Sequence, residues 1–181
     1  MSAHILSVHR SAQHTISKPA CDAIRLVPGL GVEGDAHFGA TVMHRYDRSR
    51  DPQRPNLRQV HLIQSELLEE LAGQGFAVSA GQIGENISTA GVDVLALSQG
   101  TRLRLGADAL IEVTGLRNPC RLIDQATDPG VMAATLEKRA DGTVLRKTGV
   151  MAVILTGGEV RAGDGIVVEW VPDKYVPLEP V

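Results

Sequence analysis

Aromatic side chains are scarce: one Trp, two Tyr and two Phe in 181 residues. Such a chain has no stacking platform for nucleic-acid bases. Cysteine is scarcer, with only Cys21 and Cys120. Two thiols can pair, but they make no disulfide scaffold. The cysteine spacing that would hold an iron–sulfur cluster is also absent. No apolar run approaches the roughly 20 residues of a membrane span. The start, Met1-Ser2-Ala3-His4-Ile5-Leu6, has no basic region followed by an apolar stretch, so no signal peptide is expected. The net charge of −3 gives the whole chain no attraction to nucleic acid or a membrane surface. These absences leave a cytoplasmic, thiol-reducing setting as the expectation, with neither nucleic acid nor membrane as partner.

What is present fits one domain over residues 1–181. The hydrophobic share is 43% and the charged share 22%, enough apolar material for a real core. Nineteen glycines point to many tight turns. Strands are expected at Ala3–Arg10, Asp22–Val27, Leu57–Ile63, Gln99–Leu105, Leu110–Thr114 and Lys147–Leu155, and over a closing run from Val160 to Glu169. Gly106-Ala107-Asp108 predicts a hairpin. Gln64–Ala72 has helical spacing, with Ser65 as its N-cap. Short helices are expected near Cys120 and at Val131–Leu136. The polar stretch Met43–Asn56 is either a mobile loop or an ordered lid, and the tail from about Pro172 is irregular. Short strands, glycine turns and few helices indicate a mainly β domain, a barrel or a sandwich.

Asn118-Pro119-Cys120-Arg121 directly follows the strand-like run Leu110–Gly115. A thiol placed just after a strand, in a turn fixed by proline, is presented by the scaffold. Arg117 and Arg121 flank it, and nearby cations favour the thiolate, the form that attacks electrophiles and binds metals. The competing reading is a small, buried, inert residue. Cys21 has no such context and is expected to be structural.

Several segments occur in a telling order: Gly29-Leu30-Gly31-Val32-Glu33-Gly34-Asp35-Ala36-His37, Arg58-Gln59-Val60-His61-Leu62-Ile63, Gly84-Glu85-Asn86-Ile87, Asn118-Pro119-Cys120 and Gly163-Asp164-Gly165-Ile166. This set resembles the MOSC domain, named for the C-terminal domain of molybdenum-cofactor sulfurases. The resemblance implies a β-barrel of short strands with a few small helices, and a pterin-bound molybdenum cofactor (molybdopterin). It implies that Cys120 ligates molybdenum or carries sulfur. It further implies a reductase of N-hydroxylated small molecules fed by a separate electron-donor protein, a flavin or iron–sulfur reductase. The alternative is a carrier that delivers sulfur or cofactor to another enzyme through the same cysteine. Substrate and oligomeric state stay open.

Beside that resemblance, a pterin cofactor needs one soft donor, a phosphate cradle and a dry wall. Cys120 supplies the donor, with Asn118 in the same motif. Arg58, Arg117 and Arg121 are the candidate cradle, unless each is an ordinary surface arginine. Backbone amides of the Gly29–Gly39 loop are a further anion site. Glu85 and Asn86 can bond the pterin edge, or hold local turns. Asp35, His37 and His61 can form a proton-transfer set or a metal site, or simply be satisfied structural groups.

Overall fold

The computed structural model describes residues 2–43 and 45–181, the side chains of 45–47 apart. Its strands are β1 (His4–His9), β2 (Ala20–Cys21), β3 (Ala23–Val27), β4 (Gly31–Val32), β5 (Val60–Gln64), β6 (Ile87–Ala90), β7 (Arg102–Leu105), β8 (Ala109–Leu116), β9 (Leu136–Lys138), β10 (Val144–Arg146), β11 (Val150–Thr156), β12 (Gly158–Arg161) and β13 (Ile166–Trp170). Its helices are α1 (Arg45–Arg50), α2 (Glu66–Gly73), α3 (Leu122–Ala126) and α4 (Val131–Ala134). The domain is mainly β, as the turn-rich sequence predicts. Among the described residues, no helix is long and apolar enough to cross a membrane.

Eight strands form one sheet in the order β13-β7-β8-β11-β5-β6-β1-β2, while β12-β3-β4 and β10-β9 form smaller sheets. The expected closed barrel is not found: the end strands β13 and β2 do not pair with each other among the described residues. A corner of the sheet does fold back. Ile5 N donates to Asp164 O at 2.8 Å, and Ile166 N donates to Ala3 O at 2.9 Å. The predicted closing strand is in fact two, because the Gly163–Gly165 turn divides it. Its first half, β12, leaves the main sheet to pair with β3, and its second half, β13, pairs with β7.

The β7–β8 hairpin turns at residues 106–108 as expected, with Leu105 opposite Ala109. Strand β8 alternates buried and half-buried residues until its last two positions, which are both buried. This alternation directs Ile111 and Val113 into a core shared with Ile5, Leu62, Ile87, Leu103 and Val150. The β5–β6 pair is parallel, which requires a crossover, and α2 lies in it. Leu67 and Leu71 of α2 pack with Ile63, Ile83, Ile123 and Val131 in a second apolar cluster. Ser65 stands at the N-cap position of α2, but its backbone is helical and its side chain makes no cap bond. Its carbonyl instead accepts from Leu68 N at 2.8 Å.

The polar stretch 43–56 contains α1 and is clamped at its base. Val42 N donates to Arg54 O at 2.8 Å, and Asn56 N donates to Ala40 O at 3.1 Å. Asn56 Nδ2 donates to Gly39 O at 2.8 Å. His44, within this stretch, lies outside the described residues.

Candidate functional site

Strand β8 ends at Leu116, and the chain then runs through Arg117 to Cys120 before α3 begins. Two backbone contacts fix this exit. Arg117 N donates to Gly149 O at 3.0 Å, and Thr148 Oγ1 donates to Arg117 O at 2.8 Å. Gly149 has φ +82°, and a Cβ there would lie 2.0 Å from Leu62 O of β5. Only glycine lets the head of β11 lie this close to β5. Ile123 N donates to Cys120 O at 3.0 Å, so the cysteine opens the first turn of α3.

Cys120 is half-buried and lies on a cavity of about 480 Å³ lined also by Lys18, Arg58, His61, Asn86 and Arg117. The N-terminal loop after β1 contributes His14, Thr15 and Ile16 to one wall, and His37, Asn118, Leu122 and Met151 complete the other sides. Three lining residues are cations and none is acidic, in a chain whose net charge is −3. Arg117 Nη2 lies 4.0 Å from Cys120 Sγ. Arg117 Nη1 is buried without a hydrogen-bond partner. Burial works against the guanidinium's charge and lowers its pKa, and Cys120 is the strongest influence in the other direction.

Behind the lining lies a network that fixes it. Lys18, only 7% exposed, puts Nζ 2.8 Å from Asp35 Oδ2. Asp35 Oδ1 accepts from His37 N at 3.0 Å and sits 3.1 Å from His37 Nδ1. Burial alone would raise the Asp35 carboxyl, but hydrogen bonds from His37 and the charge of Lys18 outweigh it and hold the group well below the carboxylate range. Asn86 joins this network to β5. Its Nδ2 donates to Asp35 Oδ2 at 3.0 Å and to His9 O at 3.1 Å, and its Oδ1 accepts from His61 N at 3.2 Å. The His61 ring is bonded through Nε2 to Thr148 O at 2.7 Å. Burial, reinforced by the Arg117 charge, pushes its pKa down to about 3, so it stays neutral. Gly84 has φ +98°, and a Cβ on it would meet Ile16 O at 2.8 Å, so glycine is needed where this turn meets the loop wall.

Of the site residues picked out from the sequence, Cys120, Asn118, Arg58, Arg117, Asn86, His37 and His61 do meet at one cavity. Three do not line it. Arg121 is exposed and outside the lining, because it sits at the start of α3 on the solvent side. Glu85 is fully buried: its Oε1 accepts from Gly81 N at 2.6 Å and from Ser88 Oγ at 3.1 Å, the turn-holding arrangement. Asp35 lies one layer back, behind Lys18 and His37. Asn86 reaches the cavity with its amide already bonded to protein groups.

The Gly29–Gly39 amides are engaged within the protein. Glu33 N bonds Arg25 O, Ala36 N bonds Ser11 O and Gly39 N bonds Leu30 O. Among the described residues no three His, Cys, Asp or Glu side chains are grouped to hold a metal ion. Cys21 and Cys120 are both free. Lys18 and the loop wall His14–Ile16 escaped the sequence reading. Lys18 is followed by a proline and marked by nothing else, and its place depends on contacts with residues far along the chain.

A half-exposed thiol on a cavity lined by three cations and no acidic side chain marks this mainly β domain. The chain belongs to the MOSC domain family, whose profile matches residues 34–167. It is similar in structure to the YuaD protein of Bacillus subtilis, with TM-score 0.74 and 21% identity over 92% of this chain and 94% of that one. It is also similar to YiiM of Escherichia coli, with TM-score 0.64 and 20% identity over 97% of this chain and 73% of that one. YiiM of Geobacillus stearothermophilus gives TM-score 0.63 and 17% identity over 93% and 75%. At these identities the likeness is one of fold. No curated protein matches the chain. The family match takes in Arg58, Arg117 and Cys120 but not Lys18.

Proposed function

We propose that the cavity binds a pterin-type molybdenum cofactor, with Cys120 as the protein's one soft donor, and that the domain reduces small N-hydroxylated molecules. The observation that carries this reading is the half-exposed Cys120 sulfur on a cavity with three cations and no carboxylate. The cavity volume of about 480 Å³ is also that of a small-molecule site, which typically spans roughly 300–1,000 Å³. The residues fit the group. A thiolate suits a soft metal, and positive charge suits a phosphorylated pterin. When bound, the cofactor supplies the metal and its electron chemistry.

The chain's own residues have separable tasks. Cys120 offers the sulfur. Lys18 and Arg58 supply positive charge for a phosphate, Lys18 being held rigid by Asp35. Asn86 fixes the backbone of β5 against Asp35. His37 is the member of the expected proton set with access to solvent, its side chain being 32% exposed. Its Nδ1 is turned to Asp35 Oδ1 at 3.1 Å, which fixes the orientation of the ring at the cavity. His61 stays neutral and acts as a fixed wall. Electrons come from a separate donor protein.

The test is metal analysis of the chain and of Cys120→Ser, both produced in cells that make the cofactor. The expected result is about one molybdenum per wild-type chain, and its loss in the variant. Wild-type chain without the metal would overturn the reading. Cyanide-labile sulfur on Cys120 in metal-free protein would transfer the assignment to a sulfur carrier.

A further inference from the structure

Cys120 has an unusual counter-charge. Among the described residues no carboxylate stands within ion-pair distance of Arg117, and its one side-chain hydrogen bond is to Cys120 Sγ at 4.0 Å. The second guanidinium nitrogen, Nη1, is buried and has no partner. Lys18 and Arg58 share the same lining, which holds no acidic side chain, and Lys18 is paired from behind by Asp35. Cys120 Sγ is therefore the one side-chain acceptor that Arg117 has among the described residues. The thiolate is the form that attacks carbon, and when the C–S bond forms its negative charge disappears. The guanidinium is then left half-buried among like charges, which is costly unless another anion replaces the thiolate.

We propose that Cys120 and Arg117 act as a thiolate–guanidinium pair that selects electrophiles carrying an anionic oxygen one or two bonds from the atom the sulfur attacks. A carboxylate on that neighbouring atom falls beside the guanidinium as the sulfur loses its charge. It accepts a charge-assisted hydrogen bond, and Arg117 can present two parallel donors to it. Neutral electrophiles of the same size leave Arg117 uncompensated. Arg117 is thus a positioning residue for whatever reacts at the sulfur, whereas the phosphate charge described above falls to Lys18 and Arg58. The inference concerns the chain without its cofactor, so it stands or falls apart from the metal reading.

The probes are iodoacetate and iodoacetamide, which differ in charge and little in size. In both cases the thiolate attacks the methylene carbon, a C–S bond forms, the C–I bond breaks, and iodide leaves with the bonding pair. Nothing is oxidised or reduced. Rates at Cys120 of the cofactor-free full chain are followed by peptide mass, with N-acetylcysteine as the reference thiol. The iodoacetate-to-iodoacetamide rate ratio at Cys120 is expected to exceed that of the reference by about tenfold or more, the factor set by one charge-assisted hydrogen bond. Arg117→Met should return the ratio to the reference value, and Arg117→Lys should keep part of it. A wild-type ratio equal to the reference overturns the proposal, and that measurement needs no variant to fold. A raised ratio that survives in Arg117→Met also overturns it, since the selectivity would then belong to the cavity's general field. Metal content, measured separately, is untouched by either result.

Discussion

His61 shows how burial governs a single side chain. Its pKa of about 3 in the folded chain lies far below the roughly 6.5 of an unfolded histidine. The unfolded chain therefore takes up the proton first as pH falls. The neutral ring contributes stability that is complete above about pH 6.5 and is lost progressively toward pH 3. His9 is also shifted down, chiefly by burial, and adds to the same slope. Urea unfolding should show stability falling with pH over this window. His61→Gln, which keeps a donor for Thr148 O, should flatten the slope by up to about 1.4 kcal/mol per pH unit, one proton's worth. An unchanged slope would mean that the ring is charged in the fold. Asp35 acts lower on the scale: its depressed pKa gives stability that is present above about pH 3.9 and lost in stronger acid.

At the same scale, the legible and the illegible residues divide on physical grounds. Cys120 could be picked out because a proline turn and flanking arginines mark a presented thiol. Glu85 could not be placed, because a carboxylate beside glycine is compatible both with a ligand and with local amides. Here it holds Gly81 N and Ser88 Oγ. Lys18 was invisible, since what makes it part of the cavity is Asp35, brought to it only by the fold.

Among elements, the strands β7 and β8 were readable from alternation and a three-residue glycine turn. The β9–β10 hairpin was not, because its residues are exposed or half-buried and carry no two-residue period. The closing strand was read as one because apolar residues continue across Gly163-Asp164-Gly165, yet the two halves join different sheets. The junction of β5, β8 and β11 at Gly149 carries the most exposed prediction at this level. Gly149→Ala places a methyl carbon 2.0 Å from Leu62 O in a left-handed conformation. It should destabilise the chain by roughly 3 kcal/mol or more in urea unfolding and slow alkylation-ready presentation of Cys120, since Arg117 hangs from the same glycine's carbonyl. Wild-type stability in the variant would show that β5 yields easily here.

The whole molecule sets a negative total charge against a positive cavity. Long-range attraction to polyanions is therefore weak, while small anions meet a local excess of positive groups. Inorganic pyrophosphate should raise the thermal midpoint of wild-type protein by about 2–4 °C over chloride at matched ionic strength, the shift expected for roughly 1 kcal/mol of binding in a chain of this size. Arg58→Gln should reduce the rise. Equal midpoints in the two salts would argue that the cavity's cations are satisfied from within. Mainly β character and the position of the thiol were open to sequence reading. The way β1 meets the segment before β13 was not, because that contact depends on how distant strands come together, and no local pattern records it.

The wall made by His14, Thr15 and Ile16 belongs to a loop of the first twenty residues, tied to the body through Lys18 N to Gly81 O at 2.9 Å and Ala36 N to Ser11 O at 2.7 Å. The sulfur and its arginine come from the far end of β8. Rewriting that early loop should therefore change which molecules are admitted while leaving the reactive atom and its partner where they stand.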